Sequence, residues 1–580
     1  MKKTIAATVL ACALGSGTLP PPAAHAARQP ADCGSLRGLR LPASVIGLPT
    51  RGGEVRAADT ISPSGGGSSG GGSTGSGPAD RGSTGSGSSH SGSSATGAYC
   101  RVEAVIHPVD PTAPDITLRV ALPRQWNKKS MMFGGGGYDG TVPDVTGNVP
   151  FGPVGHPRPL ARGYATYAGD SGHQAAPDFT PTPSLDGSFG LNDEAVRNFA
   201  GDALKKTHDA ARHIIRTHYG TAPAHSYFAG GSSGGREGLA VAQRWPTDFD
   251  GVIAAYPAWN AASLNLFFGY EAQLLSRPGA FLDPAQQALL HRAVIKSCDG
   301  DDGLRDGVIS HEAGCRFQPR TLRCPGGKDT GDTGGCLSDR QIRAVEALSS
   351  PLRWKYRLAS GERGYPGFPF LSGADMCTPL LGMGTRAPGH PMPKDSGYGV
   401  QFWDQWVRYF VTRDPVYDAL AVDPRRPGPW RQRISRLSAL QDVNDPDLRR
   451  FAEAGGKLLL LHGTADELVS HRSTVDYFRR VHARMGARAT GAFARLYLIP
   501  GANHVNVDAS FAASYDSLSA LESWTEDGKA PVRPVVTDSI PAHDARTRPL
   551  CAYPSWPKYR GHGDPASAHS FTCHSTPPKT

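Results

Sequence analysis

A turn that lifts a side chain above a sheet leaves little freedom to the chain around it. The stretch Tyr227-Phe228-Ala229-Gly230-Gly231-Ser232-Ser233-Gly234-Gly235-Arg236-Glu237-Gly238 has the composition of such a turn. A short apolar run leads into glycine and serine, and a helix start follows. That order is what a G-x-S-x-G nucleophile elbow requires, because only glycine leaves room for backbone and substrate around the raised serine oxygen. Two registers fit, one centred on Ser232 and the other on Ser233. An ordinary Gly/Ser loop has the same composition, so the motif needs partners elsewhere in the chain.

A chain of 580 residues can bury a large core, as one domain with an elaborate insertion or as two domains. Its net charge of +9 is spread without long runs, and no nucleic-acid module accompanies it. Lys2-Lys3, the apolar residues 5–14 and Ala24-His25-Ala26 read as an export signal over residues 1–26. No later segment has the apolar length to cross a bilayer, so a soluble protein, secreted or periplasmic, is expected. Export permits disulfides. Of ten cysteines, Cys12 lies in the signal. Local spacing suggests Cys298 with Cys315, Cys324 with Cys336, and Cys551 with Cys573, and the odd total leaves one thiol over.

Residues 62–98 are nearly all Gly, Ser and Thr and cannot pack a core, so they read as a flexible insertion after an N-terminal segment 27–61. From 99 to 256 strands alternate with helices: strands at 129–133, 163–168 and 251–255, and a helix at 192–217 with Leu204, His208, Ala211 and Ile215 on one face. That rhythm argues for an open α/β sheet. It is lost over 257–447, a cysteine- and aromatic-rich lid, and resumes at 448–580 with strands at 456–461 and 494–499.

A serine hydroxyl is a weak nucleophile, so it needs a base, and the base needs an orienting carboxylate. In α/β-hydrolases these follow the serine as acid and then histidine, each on a loop after a core strand. Asp466 and His504 stand in those two places. An oxyanion hole needs two backbone N–H groups. The residue after the nucleophile supplies one. The glycine run 134–137, after its own strand, supplies the other, with Gly136 and Gly137 as the candidates. The expected fold is an α/β-hydrolase core with a large inserted lid.

Asp299, Asp302 and Asp306 alternate with glycines in one short loop, where Leu304 and Val308 can add backbone carbonyls. Hard oxygen donors at this density suit Ca²⁺, in a structural role. The ligand spacing is not that of an EF-hand.

With these residues in hand, the chain resembles the tannase/feruloyl esterase family, which includes tannases, feruloyl esterases and mono(2-hydroxyethyl) terephthalate hydrolase. Leu122-Pro123-Arg124-Gln125-Trp126-Asn127 ahead of the glycine run, Asp170-Ser171-Gly172-His173, and Arg548-Pro549-Leu550-Cys551-Ala552-Tyr553-Pro554 through to Phe571-Thr572-Cys573 carry the resemblance. It implies Ser232 as nucleophile, Ser233 as an oxyanion donor, and Asp466 and His504 as acid and base. It further implies calcium at Asp299, Asp302, Leu304, Asp306 and Val308. The implied disulfides are Cys33–Cys100, Cys298–Cys315, Cys324–Cys336 and Cys551–Cys573, with Cys377 left over. Most members carry a disulfide beneath the triad; here its two places hold Gly231 and Val505, which puts the rigidity of the serine and histidine loops in question. The implied substrate is a small-molecule or plant-polymer ester of an aromatic acid, with no nucleic-acid or protein partner. Lid aromatics among Phe402, Trp403, Trp406, Tyr409 and Phe410 would cover the ring, or simply pack the lid. Arg408 is a candidate partner for a substrate carboxylate. The rival readings are a hydrolase of aliphatic or terephthalate-type esters and an inactive, hydrolase-like binding protein.

Overall fold

A computed structural model describes residues 31–62, 97–328 and 335–575. The expected export signal lies outside them, as do residues 63–96 of the expected Gly/Ser insertion. Ten strands form one sheet: β1 (Arg40–Leu41), β2 (Gly53–Ile61), β3 (Tyr99–Ile106), β4 (Ile116–Pro123), β5 (Lys129–Phe133), β6 (Ala165–Gly169), β7 (His225–Gly231), β8 (Gly251–Ala255), β9 (Lys457–Gly463) and β10 (Ala494–Ile499). Their spatial order is β1-β2-β3-β4-β6-β5-β7-β8-β9-β10. Antiparallel pairing runs from β1 to β6, and every pair from β6 to β10 is parallel. The central strands read as unbroken apolar runs because both faces are covered. Tyr227, Ala229, Ile253, Leu459 and Leu461 face one side, and Phe228, Val252, Ala254, Leu458 and Leu460 the other.

The helix expected over 192–217 is broken. Asp193–Arg197 is followed by a wider turn, and α1 (Ala203–Tyr219) continues from it. At the break Gly201 has φ 141°, and a Cβ there would lie 2.5 Å from the Arg244 guanidinium. Side chains rarely adopt that φ, so the position favours glycine. Helix α1 buries Leu204, His208, Ala211 and Ile215 against the sheet, as its periodicity implied. Helix α2 (Ser233–Arg244) starts directly after β7.

Between β8 and β9 the chain leaves the sheet and builds a second apolar core around α3 (Ala261–Leu275) and α4 (Tyr398–Gln405), with Trp403, Trp406 and Phe410 fully buried in it. The chain then returns through β9 to α5 (His471–Met485). All four expected disulfides are present: Cys33–Cys100, Cys298–Cys315, Cys324–Cys336 and Cys551–Cys573. Ile61 pairs with Tyr99 across β2 and β3, so the Gly/Ser stretch joins two strands that are already neighbours.

Candidate active site

Every candidate group lies just past the carboxyl end of a parallel strand, the edge where open α/β sheets bind ligands. Ser232 follows β7, Asp466 follows β9, His504 follows β10, and the glycine run 134–137 follows β5. Ser232 has φ 58° and ψ −121°, a conformation rare for a residue with a side chain. It is held by backbone bonds from Ser232 N–H to the Ala255 carbonyl and from Ala258 N–H to its own carbonyl. Ser233 is already the first helical residue, so the strained apex of the turn falls on Ser232.

His504 Nδ1 lies 2.9 Å from Asp466 Oδ2, and both side chains are buried. Asp466 Oδ1 accepts the N–H groups of Leu468 at 2.9 Å and Val469 at 2.7 Å. His462, near the end of β9, is a further histidine at this site that the sequence analysis did not single out. Its Nε2 lies 2.8 Å from the Val469 carbonyl and 3.2 Å from Asp466 Oδ2. A carbonyl only accepts, so Nε2 carries the proton, and Nδ1 accepts from the Thr474 hydroxyl at 2.9 Å. Burial pushes the His462 pKa down despite Asp466, which keeps the ring neutral. Burial alone would raise Asp466, but His504 and the bonds from both histidines outweigh it and hold the carboxyl well below its ordinary range. An ionised Asp466 fixes Nδ1 of His504 as the protonated nitrogen and leaves Nε2 to act as a base. Next to it Glu467 is buried, and burial with the Asp466 charge drives its pKa well up.

The glycine run divides cleanly. Gly134 N–H donates to the Ala229 carbonyl and Gly135 N–H to Glu237 Oε2 at 3.0 Å. Gly136 and Gly137 N–H have no such partner among the described residues, and the Ser233 N–H is an orphan of the first helical turn. The Ser233 hydroxyl donates to the Gly137 carbonyl at 2.6 Å, which ties the run to the elbow. Gly137 itself has φ 62°, and a Cβ there would lie 2.4 Å from the Ser184 carbonyl. Ser171, from the Asp170–His173 stretch, backs the loop through Glu237 Oε1 at 3.4 Å.

Gly231 and Val505 leave no cysteine pair beneath these loops, and an aromatic ring takes that place. A Cβ on Gly231 would lie 2.4 Å from Tyr256 Cζ, and the same ring packs 4.6 Å from the His504 ring, centroid to centroid. Tyr256 follows β8 with φ 34°. It therefore bridges the elbow and the histidine loop by packing where a covalent link was absent. Sequence reasoning had no signal for it beyond an aromatic residue directly after a core strand.

Beside Ser232 is a narrow cavity of about 40 Å³, walled by Tyr138, Phe199, Phe268, Phe402, Leu264 and Leu468. Of the lid aromatics named from sequence, Phe402 lines it, stacked on Tyr138 at 3.7 Å. Trp403, Trp406 and Phe410 pack the lid interior instead. Arg408 does not reach this cavity: it pairs with Asp404 at 2.9 Å and faces a separate cleft that Tyr409 also lines. A wide cleft of about 950 Å³ between the lid and α5 holds none of the catalytic candidates; its Arg472 and Arg480 are paired with Glu312 and Glu362.

In the acidic loop, Asp299 Oδ1 accepts the N–H groups of Asp306, Gly307 and Val308, and Asp302 accepts those of Leu304 and Ser310. Asp306 pairs with Arg548 and lies 3.6 Å from Arg546. Asp299 and Asp302 have no ion-pair partner among the described residues, and burial raises both, Asp302 to about 6. Three carboxylates and two carbonyls in one loop, with negative charge left uncompensated, fit a hard cation. The carboxylates are not gathered as tightly as the group His208, Asp209 and Asp248, whose ligand atoms lie within 4.8 Å of one another. There, however, Lys205 already pairs with both Asp209 and Asp248 and offsets half of their charge. Among the described residues Cys377 is the free thiol, and burial pushes its pKa up to about 11, so it is a thiol rather than a thiolate at neutral pH.

Comparison with known proteins agrees with this architecture. The family model described as tannase and feruloyl esterase matches residues 100–574. An uncharacterized esterase of Agrobacterium fabrum is 35% identical, over 93% of this chain and 92% of its own. The mono(2-hydroxyethyl) terephthalate hydrolase of Piscinibacter sakaiensis is 28% identical, over 83% and 85%. Among solved structures, feruloyl esterase B from Aspergillus oryzae superposes with a TM-score of 0.70 over 93% of this chain and 99% of that one; at 21% identity it speaks for the fold. The chain belongs to the tannase and feruloyl esterase family and is a carboxylic ester hydrolase.

Proposed function

We propose that this protein is an exported serine esterase that hydrolyses esters of aromatic acids, such as galloyl or feruloyl esters, through Ser232, His504 and Asp466. His504 Nε2 takes the Ser232 hydroxyl proton as Oγ attacks the ester carbonyl. N–H groups of Ser233, Gly136 and Gly137 receive the oxyanion. The alcohol leaves with the proton from His504. Water, activated by the same nitrogen, then cleaves the acyl-enzyme, and Asp466 stays ionised throughout.

The observation that carries this reading is the His504–Asp466 hydrogen bond of 2.9 Å on the same sheet edge as a serine in a left-handed turn. The aromatic walls of the neighbouring cavity support a flat acyl group. Four disulfides support export to an oxidising compartment. Calcium, held by Asp299, Asp302 and Asp306 with the carbonyls of Leu304 and Val308, would neutralise that loop and brace the lid.

The test compares hydrolysis of methyl gallate, methyl ferulate and a short p-nitrophenyl ester by wild type and Ser232→Ala. Loss of the nucleophile should lower kcat by on the order of 10⁶. A Ser232→Ala protein that keeps wild-type turnover would move the chemistry elsewhere. A folded wild type that turns over no ester would favour a binding protein.

A further inference from the structure

Helix α3 presents Ala261, Leu264, Asn265 and Phe268 to the cavity beside Ser232, residues spaced so that they share one helical face. Asn265 is the polar residue of that face, and it is 4% exposed. Its Nδ2 donates to the Ala261 carbonyl at 2.9 Å. A carbonyl cannot donate, so this bond fixes the amide orientation and leaves Oδ1 as the free end. Oδ1 is buried and has no hydrogen-bond partner. Neighbouring polar groups on the wall are satisfied within the protein: Tyr138 Oη donates to the Phe402 carbonyl at 2.9 Å, and Tyr398 Oη lies 3.1 Å from Ser184 Oγ. Arg236 is engaged with the Phe199 carbonyl at 2.9 Å.

A buried acceptor without a donor is destabilising, and a native structure that keeps one calls for an explanation. Here the residue that carries the acceptor lines a largely apolar, aromatic-walled space. The missing donor is therefore one that a flat ligand brings as it enters this space. The acyl half of an aromatic acid ester has no donor on its carboxyl group, so a donor from that half sits on the ring. We propose that Asn265 is a specificity-determining residue: its Oδ1 accepts a hydrogen bond from a ring hydroxyl of the acyl group, so that hydroxylated aryl esters are selected over the same esters without one. The inference rests on reading this cavity as the acyl site. It further implies that a methyl ether at the same ring position, which has no proton to give, loses the advantage.

The experiment measures kcat/KM for methyl cinnamate, its 3-hydroxy and 4-hydroxy derivatives, and the corresponding methyl ethers. Each is expressed as a ratio to methyl cinnamate within one protein, so that a general loss of activity cancels. Wild type should favour one hydroxylated ester by on the order of 10- to 100-fold, and Asn265→Leu should bring that ratio close to one. Asn265→Ala serves if thermal unfolding shows the leucine variant misfolded. Equal wild-type ratios for all the esters would overturn the proposal, as would a hydroxyl preference that survives removal of the amide. Calorimetric binding of 4-hydroxycinnamic, 3-hydroxycinnamic and cinnamic acid to Ser232→Ala protein gives a readout without turnover. If wild type hydrolyses no ester, the esterase reading fails, while a hydroxyl preference in that binding, lost with Asn265→Leu, still upholds the role of Asn265.

Discussion

A Cβ at position 231 would sit 2.4 Å from the Tyr256 ring, so the glycine and the tyrosine form a matched pair, and that ring packs on His504. Gly231→Ala should therefore overpack the site, at about 1–3 kcal/mol of stability, and lower kcat by displacing the ring. The double variant Gly231→Ala/Tyr256→Ala should recover part of that stability, since the two changes are coupled. Thermal unfolding of the three variants checks this, and an unchanged melting temperature in Gly231→Ala would refute it. At the next residue but one, Ser233→Ala removes the hydroxyl bond to the Gly137 carbonyl, worth about 1 kcal/mol. Its kcat/KM should fall roughly tenfold, far less than for Ser232→Ala; equal losses would argue for the other register of the elbow. From sequence the elbow was legible and its register was open. Backbone geometry separates the two serines, because only one of them can occupy the left-handed apex.

At the scale of elements, the parallel strands were legible because each is a short apolar run closed by a loop, and β5, β8 and β10 lie within two residues of where the pattern put them. The break at Gly201 was not, because an isolated glycine inside a helical pattern does not by itself end a helix. The acidic loop reads as a candidate cation site by composition alone, while its tie to Arg546 and Arg548 arises from the chain's return at the C-terminal end. Calcium bound there should raise the melting temperature, by about 2.7 kcal/mol of stability at a hundredfold excess over Kd. A chelator should reverse the gain, and Asp299→Asn should abolish it. Identical unfolding curves with calcium and with chelator would remove the ion from the account.

On the scale of the whole molecule, the lid has a core of its own, and buried carboxyls make it pH-sensitive. Burial raises Glu271 to about 8, and burial raises Asp442 to about 7. Each binds its proton more tightly folded than unfolded, so the stability they contribute is complete below the ordinary carboxyl range and is lost as pH rises towards 7 and 8. The carboxyls held low, Asp466 among them, act in the opposite direction only in strong acid, whereas the buried histidines held low, His173 at about 4 and His462, add stability as pH rises towards about 6.5. Between pH 5 and pH 8 the melting temperature of wild type should therefore fall relative to that of Glu271→Gln; parallel curves would show that Glu271 does not titrate there. The amino-acid order by itself determined the α/β sheet, the interruption by a lid, and the placing of serine, aspartate and histidine after successive strands, because strand periodicity and loop position are local properties. Only the tertiary structure decided that Tyr256 fills the space over Gly231, that His462 shares Asp466 with His504, and that Asn265 keeps a buried oxygen unpaired. Those contacts join residues from different elements, and no local pattern records which side chains a fold will bring face to face.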